Sequence, residues 1–379
     1  MIYRKLTITL ATGACLMAGT LPGVAADTIK FGVVGALTGG AAQWGLAVRE
    51  AVRIAADEVN AKGGLDVGGK KYKVEMVAYD DQQKAADALS AYNRLVNVDG
   101  GKYVFLQSSA STLAIKPRAE SDEVVLMSAA FSPKIIDDAT KYTFRIYLNA
   151  DNYVPALISW MKNNLKERRV ASLNPNDETG WGQAEVTAKF YKQNGFEQLA
   201  GELYERSQKD FQPVLTKIMA LNPEIIDLGT SAPATGGIII RQARELGYKG
   251  RIIQTGGPGW DAIVAAAGKE AVEGMICIVY ADPQDKGYRK IADDYKKAMG
   301  QDPNELILPV YDSAQVLLKA IQLAGDPADT KKVAAAFAKV LPTKSLQGDD
   351  LTFGRQQIMT VDYVAEMKDG KPSMIGKLN

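Results

Sequence analysis

Apolar and polar positions follow two different periods in the first part of the chain. Residues 28–34 form a short run rich in β-branched side chains, typical of a buried strand, and residues 35–40 form a glycine-rich turn. Beyond the turn, apolar residues recur at i, i+3, i+4, i+7 and i+11, namely Val48, Ala51, Val52, Ala55 and Val59. This spacing places them on one face of a helix. The pattern predicts a strand, a turn and a helix, with a ligand site at the carboxyl end of the strand.

The same alternation continues along the chain and restarts near residue 149. Strands are predicted at 72–79, 103–107, 124–128 and 142–147 in the first series, and at 169–173, 198–204, 225–229, 252–255 and 275–280 in the second. Helical patterns separate these strands, and three further helices precede a pair of late strands within 351–367. Alternating strands and helices form parallel sheets covered on both faces. The chain is therefore predicted to be α/β, with two similar doubly wound lobes.

Composition adds an export signal to this architecture. The 379 residues are 46% hydrophobic and 23% charged, which is ample for two cored domains. Residues 1–26 combine Arg4 and Lys5 with an apolar stretch and the small residues 24–26, which predicts a signal peptide cleaved after Ala26. An alternative makes Cys15 a lipoprotein anchor. Cleavage leaves 43 of the 45 basic residues against 44 acidic ones, a balance that gives no support for nucleic-acid binding.

Histidine, the commonest general base and zinc ligand, is absent from the chain. Cys277 is the only cysteine beyond the leader. The glycine turns match neither a Walker loop nor a GxGxxG spacing. The adjacent acids Asp80 and Asp81 project to opposite faces of an extended segment and form no acid–base pair. We therefore expect neither an enzyme nor a cofactor or metal site.

Hydroxyl and indole side chains are the candidates for ligand contact. Ser108 and Ser109 follow the predicted strand 103–107 and precede a helix, where hydroxyls and free N–H groups can hold a carboxylate. The alternative is ordinary helix capping. Trp44 and Trp181 each follow a strand-to-helix turn, one in each lobe, and are either pocket walls or core residues.

Several segments carry a specific resemblance. The leader is followed by IKFGVVGALTGGAAQWG and AADEVNAKGGL, and later by YDD at 79–81, SSAST at 108–112, GWGQ at 180–183 and YDSAQVL at 311–317. In these motifs the chain resembles periplasmic leucine/isoleucine/valine-binding-type proteins, which have the type I periplasmic binding fold and supply ligand to an ABC transporter. The resemblance implies a periplasmic monomer that docks on a membrane permease.

The resemblance also implies how the chain divides. In that family the chain crosses three times between the lobes, and here the crossings are expected near Leu148, Ala281 and Gly354. The first lobe would comprise 27–148 and 281–354, and the second 149–280 and 355–379. The family's disulfide near the first ligand loop is not expected, because the matching positions read Gln83 and Ser108.

Ligand contacts are implied residue by residue. The position matching Ser109 holds the ligand carboxylate in the family, and aromatic residues at the positions of Trp44 and Trp181 line the ligand side chain. The loop 128–132 supplies a backbone carbonyl in the family. Ala130 is the candidate acceptor here, although the segment is one residue short and Phe131 intrudes.

Two second-lobe positions depart from the amino-acid binders. The family's tyrosine is replaced by the run 230–232 with Ser231 at its centre, and its acid by the run 256–258 with Gly257 at its centre. Without that acid a buried ammonium lacks its partner. We therefore expect an organic acid in preference to an α-amino acid, unless Asp261 replaces the missing partner. The predicted function is solute binding for an ABC importer, and the alternative is a ligand-sensing receptor of the same fold.

Overall fold

The structure is a computed structural model that describes residues 1–2, 27–257 and 259–378. The predicted leader, apart from its first two residues, lies outside the described part of the chain.

The first lobe is built on a sheet of nine described strands in the order β12-β13-β14-β6-β5-β4-β1-β3-β2. Five of them form a parallel core, in which β1 lies between β3 and β4. The bounds are β1 Asp27–Gly35, β2 Leu65–Val67, β3 Lys70–Asp80, β4 Tyr103–Leu106, β5 Val125–Ser128, β6 Thr143–Arg145, β12 Thr343–Lys344, β13 Asp350–Gly354 and β14 Gln357–Met359.

The second lobe is built on a sheet of seven described strands in the order β16-β15-β11-β10-β9-β7-β8. Its parallel core places β7 between β8 and β9, which repeats the arrangement of the first lobe. The bounds are β7 Arg169–Pro175, β8 Glu197–Tyr204, β9 Ile225–Asp227, β10 Arg251–Gln254, β11 Ile276–Val279, β15 Asp362–Lys368 and β16 Lys371–Leu378.

Helices cover both sheets and bury their apolar stripes against them. The central strands β4, β5 and β11 are buried along their whole length, as expected of parallel strands covered on two faces. The helices are α1 Ala42–Ala61, α2 Ala85–Asn97, α3 Ser109–Asp122, α4 Ala150–Asn164, α5 Glu178–Gln193, α6 Gln212–Met219, α7 Pro233–Glu245, α8 Trp260–Ala267, α9 Lys286–Met299, α10 Ile307–Ala324 and α11 Thr330–Val340.

The doubly wound α/β prediction is confirmed, with one correction to the division of the chain. The first two passages between the sheets lie between β6 and α4 and between β11 and α9, intervals that contain Leu148 and Ala281. The third was expected near Gly354. Instead β14 pairs with β6 in the first sheet, and the chain leaves only between Met359 and Asp362. The hairpin from β13 to β14 thus belongs to the first lobe, because its parallel pairing extends that sheet.

Short or weakly patterned elements were not predicted. Strand β2 has three residues, and β16 is mostly half-exposed, so neither has a strong alternation of buried and exposed positions. Helix α8 has eight residues of which Asp261 is the only charged one, so it lacks the polar face that indicates a helix. Each of these elements owes its place to a neighbouring strand or helix more than to its own pattern.

Candidate ligand-binding site

The carboxyl ends of the two parallel cores face each other across a cleft. Loops after β1 and β5 lie against loops after β9 and β10 and against the start of α5. Glycines mark the close approaches: an added Cβ would lie 2.8 Å from Trp44 Cζ2 at Gly257, 3.4 Å from Thr235 Oγ1 at Gly40, and 3.3 Å from Ser132 Oγ at Gly182. The lobes therefore meet at the sheet edges where parallel α/β folds bind ligands.

A cavity of about 550 Å³ opens between the lobes at this edge. Its first-lobe wall includes Thr38 and Lys84, and its second-lobe wall includes Tyr204 and Arg206. Arg206 forms an ion pair with Asp177, with Nε and Oδ2 2.5 Å apart. The cavity gives solvent access to the edge of the cleft, next to the turn that follows β1.

The first-lobe hydroxyls form a closed internal network. The Ser108 hydroxyl accepts the N–H of Ser111 at 3.1 Å and lies 2.7 Å from the Ser111 hydroxyl. Ser111 in turn donates to Asp81 Oδ2 at 2.5 Å. Burial raises the pKa of Asp81, while the hydrogen bond from Ser111 opposes the shift. Ser108 therefore caps α3, as the alternative interpretation held, and its hydroxyl is engaged within the lobe.

Ser109 joins the start of α3 to the loop after β5. Its side chain is fully buried, and its hydroxyl accepts the N–H of Ser132 at 3.1 Å. Because Ser109 is the first residue of α3, the unpaired N–H groups of that helix end lie beside it. The site has the polarity that a carboxylate requires.

A buried cation lies beneath the same loop. Arg145 is 2% exposed; its Nη2 donates to the Ser132 carbonyl at 2.6 Å and its Nη1 to Gln357 Oε1 at 3.1 Å. Its Nε has no hydrogen-bond partner among the described residues. Burial lowers the pKa of Arg145 to about 10, so the guanidinium stays charged at neutral pH. Nη1 and Nη2 both donate to neutral oxygens, so no described hydrogen bond pairs the guanidinium with a carboxylate. Its positive charge therefore favours an anion near Ser109 and Ser132.

Aromatic rings fill the centre between the lobes. Phe131 makes edge-to-face contacts with Trp44, Tyr147 and Tyr153 at centroid distances of 6.5, 5.6 and 6.1 Å. The Tyr147 hydroxyl donates to the Ala129 carbonyl at 3.0 Å, and burial raises the pKa of Tyr147 well above its usual range. These rings provide an apolar wall around the next residue of the loop, Ala130, which is fully buried.

Gly257 is the second-lobe residue that meets this wall. Its φ of +86° lies in the region that favours glycine. The ideal Cβ position only 2.8 Å from Trp44 Cζ2 leaves no room for a side chain. Trp44 is 2% exposed in this arrangement. The indole from one lobe thus rests on bare backbone from the other.

The polar atoms of the second-lobe face are organised differently. The Gln254 amide Nε2 donates to the carbonyls of Ser231 at 3.2 Å and Gly256 at 3.0 Å. Its Oε1 and the hydroxyl of Thr230 are buried and lack hydrogen-bond partners within residues 27–257 and 259–378. The Ser231 hydroxyl donates to the Leu228 carbonyl at 2.6 Å and accepts from Tyr204. Both hydrogen bonds of the Ser231 hydroxyl are therefore made within the second lobe. Thr230 and Gln254, in contrast, each have an oxygen that could still hydrogen-bond to a ligand.

The second-lobe carboxylates near the cleft already have donors. Asp227 is fully buried and accepts from the Tyr191 hydroxyl, the Gly229 N–H and the Thr255 hydroxyl at 2.9 Å each. Burial raises its pKa, while these hydrogen bonds act in the opposite direction. Asp261 lies in the first turn of α8 and accepts a hydrogen bond from Gln43 Nε2 at 3.2 Å. Burial raises the pKa of Asp261 to about 6.

Trp181 does not occupy the position expected of it. It is 48% exposed, and its indole N–H donates to Asn176 Oδ1 at 2.9 Å. The residues of α5 that face the first lobe are Gly182, beside Ser132, and Gln183, whose Oε1 accepts from Tyr153. Trp181 therefore lies beside the buried stripe of α5 and not within it, whereas Trp44 is buried between the lobes.

Sequence reasoning missed Thr230, Gln254, Gln183 and Arg145. Gln254 ends β10 and Thr230 follows β9, and their place near the carboxyl ends of strands was the available signal. Arg145 lies inside the predicted strand 142–147 and ends the observed strand β6. Their roles depend on contacts from distant parts of the chain, which no local pattern shows.

The described residues add no other kind of site. Across 27–257 and 259–378 there is no group of three or more His, Cys, Asp or Glu side chains arranged to hold a metal ion. Cys277 is buried and has no disulfide partner there. None of the helices described is long and apolar enough to cross a membrane.

Comparison with known proteins agrees with this arrangement. A family model described as "Periplasmic binding protein" matches residues 28–371. The chain is 31% identical over 319 residues to the leucine-, isoleucine-, valine-, threonine- and alanine-binding protein of Pseudomonas aeruginosa, a match that covers 83% of both chains.

Solved structures match over nearly the whole length. A leucine-binding protein, LivK, from Thermotoga maritima superposes with a TM-score of 0.81 at 24% identity, covering 93% of this chain and 99% of that one. A solute-binding protein from R. palustris in complex with benzoate gives a TM-score of 0.80 at 18% identity, covering 93% and 96%. At these identities the two structures support the fold alone.

Proposed function

Because the chain belongs to the periplasmic binding protein family and is of the leucine/isoleucine/valine-binding type, we propose that it binds a small carboxylate in its interlobe cleft and delivers it to the membrane permease of an ABC importer. Proteins of this kind are substrate-binding proteins rather than enzymes. The observation that carries the proposal is the contact of Trp44 with Gly257, which brings the ligand-binding edges of both sheets together. Ligand binding would shift the lobes toward this closed arrangement.

The first-lobe face supports a carboxylate as the ligand's charged group. Ser109 lies at the start of α3, and the guanidinium of Arg145 lies beneath the loop that Ser109 holds. A buried cation whose donors meet only neutral oxygens favours a nearby anion. Ser109 is the residue we propose for direct contact, with Arg145 supplying charge from behind the loop.

The second-lobe face supports an organic acid over an α-amino acid. Asp227 already accepts from three groups, and Asp261 accepts from Gln43 across the cleft. Some relatives bind amino acids by name and one structural neighbour holds benzoate, so both classes occur among proteins of this fold. We propose that this chain takes the organic acid, since Asp227 and Asp261, the carboxylates described on the second-lobe face, already accept hydrogen bonds from protein groups.

A thermal-shift screen of amino acids against aliphatic and aromatic acids tests the proposal. Binding to the folded state raises the melting temperature. Calorimetry on each hit, with small-angle scattering to follow closure, would then establish a site that closes on its ligand. The proposal fails if no carboxylate raises the melting temperature, or if a carboxylate binds without compacting the protein.

The proposed location and oligomeric state have their own tests. We place the mature protein in the periplasm as a monomer beginning at Asp27. N-terminal sequencing of periplasmic protein should start at that residue, and scattering should give the mass of a single chain. A lipid-modified Cys15 would contradict this processing.

A further inference from the structure

We propose that the ligand carries an uncharged hydroxyl group besides its carboxylate, and that Thr230 and Gln254 recognise that hydroxyl. This inference rests on the proposed function, because it concerns the same cleft. It follows from two buried oxygens on the second-lobe face and from the hydrogen bonds that fix the Gln254 amide and the Thr230 backbone.

The orientation of the Gln254 amide is determined by its neighbours. Its Nε2 donates to two backbone carbonyls, those of Ser231 and Gly256. A flipped amide would set its oxygen against both carbonyl oxygens, so the observed orientation is strongly preferred. The oxygen Oε1 is consequently turned away from them, and in a side chain that is 1% exposed it has no partner in the described ranges. This oxygen can therefore accept a hydrogen bond from a ligand.

Thr230 supplies the second oxygen. Its N–H donates to Asn174 Oδ1 at 3.2 Å, which fixes the backbone, and its side chain is fully buried. The Oγ1 atom is without a hydrogen-bond partner in the part of the chain that the structure describes. The methyl Cγ2 lies 2.9 Å from the ideal Cβ position of Gly256, next to the backbone that Gln254 holds. A hydroxyl can both donate and accept, so Thr230 complements the acceptor of Gln254.

Gln254 and Thr230 lie at the cleft and not elsewhere in the lobe. Gln254 Nε2 is 3.5 Å from the ideal Cβ position of Gly257, and the same position is 2.8 Å from Trp44 of the first lobe. The ideal Cβ of Gly256, beside Thr230, is 2.9 Å from the Tyr153 hydroxyl. Both side chains therefore border the aromatic wall where the lobes meet.

A single ligand hydroxyl satisfies both residues. It donates its proton to Gln254 Oε1 and accepts from the Thr230 hydroxyl, which leaves neither buried oxygen unpaired. A keto group accepts but cannot donate to Gln254. An ammonium could donate to both oxygens, but it would carry a full positive charge to a place where Thr230 and Gln254 offer only neutral partners. The neutral donor–acceptor group fits best, because an unpaired buried polar atom is costly on either side.

Matched acids provide the test. The probes are leucate, isocaproate and leucine, which share one skeleton, and phenyllactate, phenylpropionate and phenylalanine, which share another; hydroxybenzoate and benzoate add a ring hydroxyl. Calorimetry on the full mature protein measures each dissociation constant. In at least one series we expect the hydroxy acid to bind about tenfold more tightly than its deoxy partner, the gain of about one good hydrogen bond.

The Thr230→Val variant tests whether Thr230 causes the affinity advantage of the hydroxy acid. The change keeps the side-chain shape and removes no hydrogen bond that the Thr230 side chain makes within the described structure, so folding should be retained. The hydroxy acid should lose about tenfold in affinity, and the deoxy acid should be unchanged. Thr187→Val is the matched control, because Thr187 is a buried second-lobe threonine whose hydroxyl donates to the Gln183 carbonyl at 2.9 Å. It should leave the ratio of the two affinities as in the wild type.

The outcomes separate the inference from the proposed function. If no acid binds the wild type, the proposed function itself fails. If acids bind but the hydroxy member has no advantage, the hydroxyl inference is overturned and the binding function stands. If the amino acid binds most tightly, the hydroxyl inference and the preference for an organic acid both fail, and carboxylate binding alone remains. An unchanged affinity ratio in Thr230→Val, or an equal loss in Thr187→Val, also overturns it.

Discussion

The two faces of the cleft share one strand order but treat their polar side chains in opposite ways. On the first-lobe face, the hydroxyls of Ser108, Ser111 and Thr112 are bonded within the lobe, and Ser109 holds the next loop. On the second-lobe face, Thr230 and Gln254 keep buried oxygens that accept no hydrogen bond from a described residue. The hydroxyls at the strand ends of the first lobe thus form a bonded framework, although Gln107 after β4 also keeps an unpartnered buried oxygen, whereas the second lobe presents two unused oxygens.

This difference indicates which lobe discriminates between ligands. A fully bonded network is rigid and can hold a carboxylate without rearranging, since its donors are already oriented. Unpaired buried oxygens are costly until a ligand bonds to them, so they discriminate strongly between ligands that can and cannot do so. We infer that the first lobe captures the charged group common to many ligands and that the second lobe selects among them.

Among the variants proposed, Gly257→Ala should reduce ligand affinity the most, because its added side chain prevents the two faces of the cleft from meeting. The added Cβ would lie 2.8 Å from Trp44 Cζ2. We expect affinity for the best carboxylate to fall at least about a hundredfold, equivalent to about 2.7 kcal/mol, by calorimetry.

Gly268→Ala is its matched control. Gly268 has a φ of +91°, close to the +86° of Gly257, but no atom lies within 4 Å of its ideal Cβ position. Both variants pay the backbone strain, and only Gly257→Ala adds the contact across the cleft. Equal affinities for the two variants would show that the Trp44–Gly257 contact does not accompany binding.

Ser109→Ala tests the framework side. Removal of its hydroxyl takes away the proposed carboxylate contact and the acceptor of the Ser132 N–H. We expect binding to weaken by about 1–3 kcal/mol for hydroxy and deoxy acids alike, as for a hydrogen bond to a charged group. An effect on the hydroxy acid alone would place selectivity in the first lobe and contradict the division between the faces. Ser90→Ala, at an exposed helix position, should change nothing.

Glu305, which lies near Asp261, should make the free energy of unfolding depend on pH. Burial, with a smaller contribution from the Asp261 charge, raises the pKa of Glu305 to about 8, while the indole of Trp260 opposes the shift. A raised folded-state pKa stabilises the protein below the unfolded value near 4.5, and that stabilisation is lost as pH rises toward 8. Melting temperature should therefore fall from pH 5 to pH 8.

Glu305→Gln should flatten part of that fall. The variant should melt a few degrees above the wild type at pH 8 and close to it at pH 5. Part of the slope should remain, because burial also raises the pKa of Asp312 to about 7 and that of Asp362 to about 8. A variant that keeps the full slope would show that Glu305 is charged throughout this range.

Trp44 and Trp181 should differ in how strongly they report ligand binding by fluorescence. Trp44 is 2% exposed between the lobes, whereas Trp181 is 48% exposed. The ligand-induced change in intrinsic fluorescence should largely disappear in Trp44→Phe. Trp181→Phe should keep that change and bind within about twofold of the wild type. A response lost in Trp181→Phe would restore this residue to the pocket.

Sequence patterns predicted the framework better than the selective face. The helix containing Trp44 and the strand-to-helix turn at Ser109 depend on local periodicity and on caps, which are visible in the sequence. The roles of Thr230 and Gln254 depend on which distant groups bond to their neighbours. The exposure of Trp181 depends on how α5 is rotated against the first lobe, and the third passage depends on β14 pairing with β6. Tertiary contacts decide each of these.

Direct competition between a matched amino acid and organic acid measures which of the two the cleft prefers. Leucine or phenylalanine is titrated against its deaminated or hydroxylated counterpart on the wild-type protein, with displacement followed by calorimetry. We predict that the organic acid displaces the amino acid, because the carboxylates of Asp227 and Asp261 already accept other donors. Tighter binding of the amino acid would contradict this prediction, since it would show that a buried carboxylate of the protein accepts the ammonium.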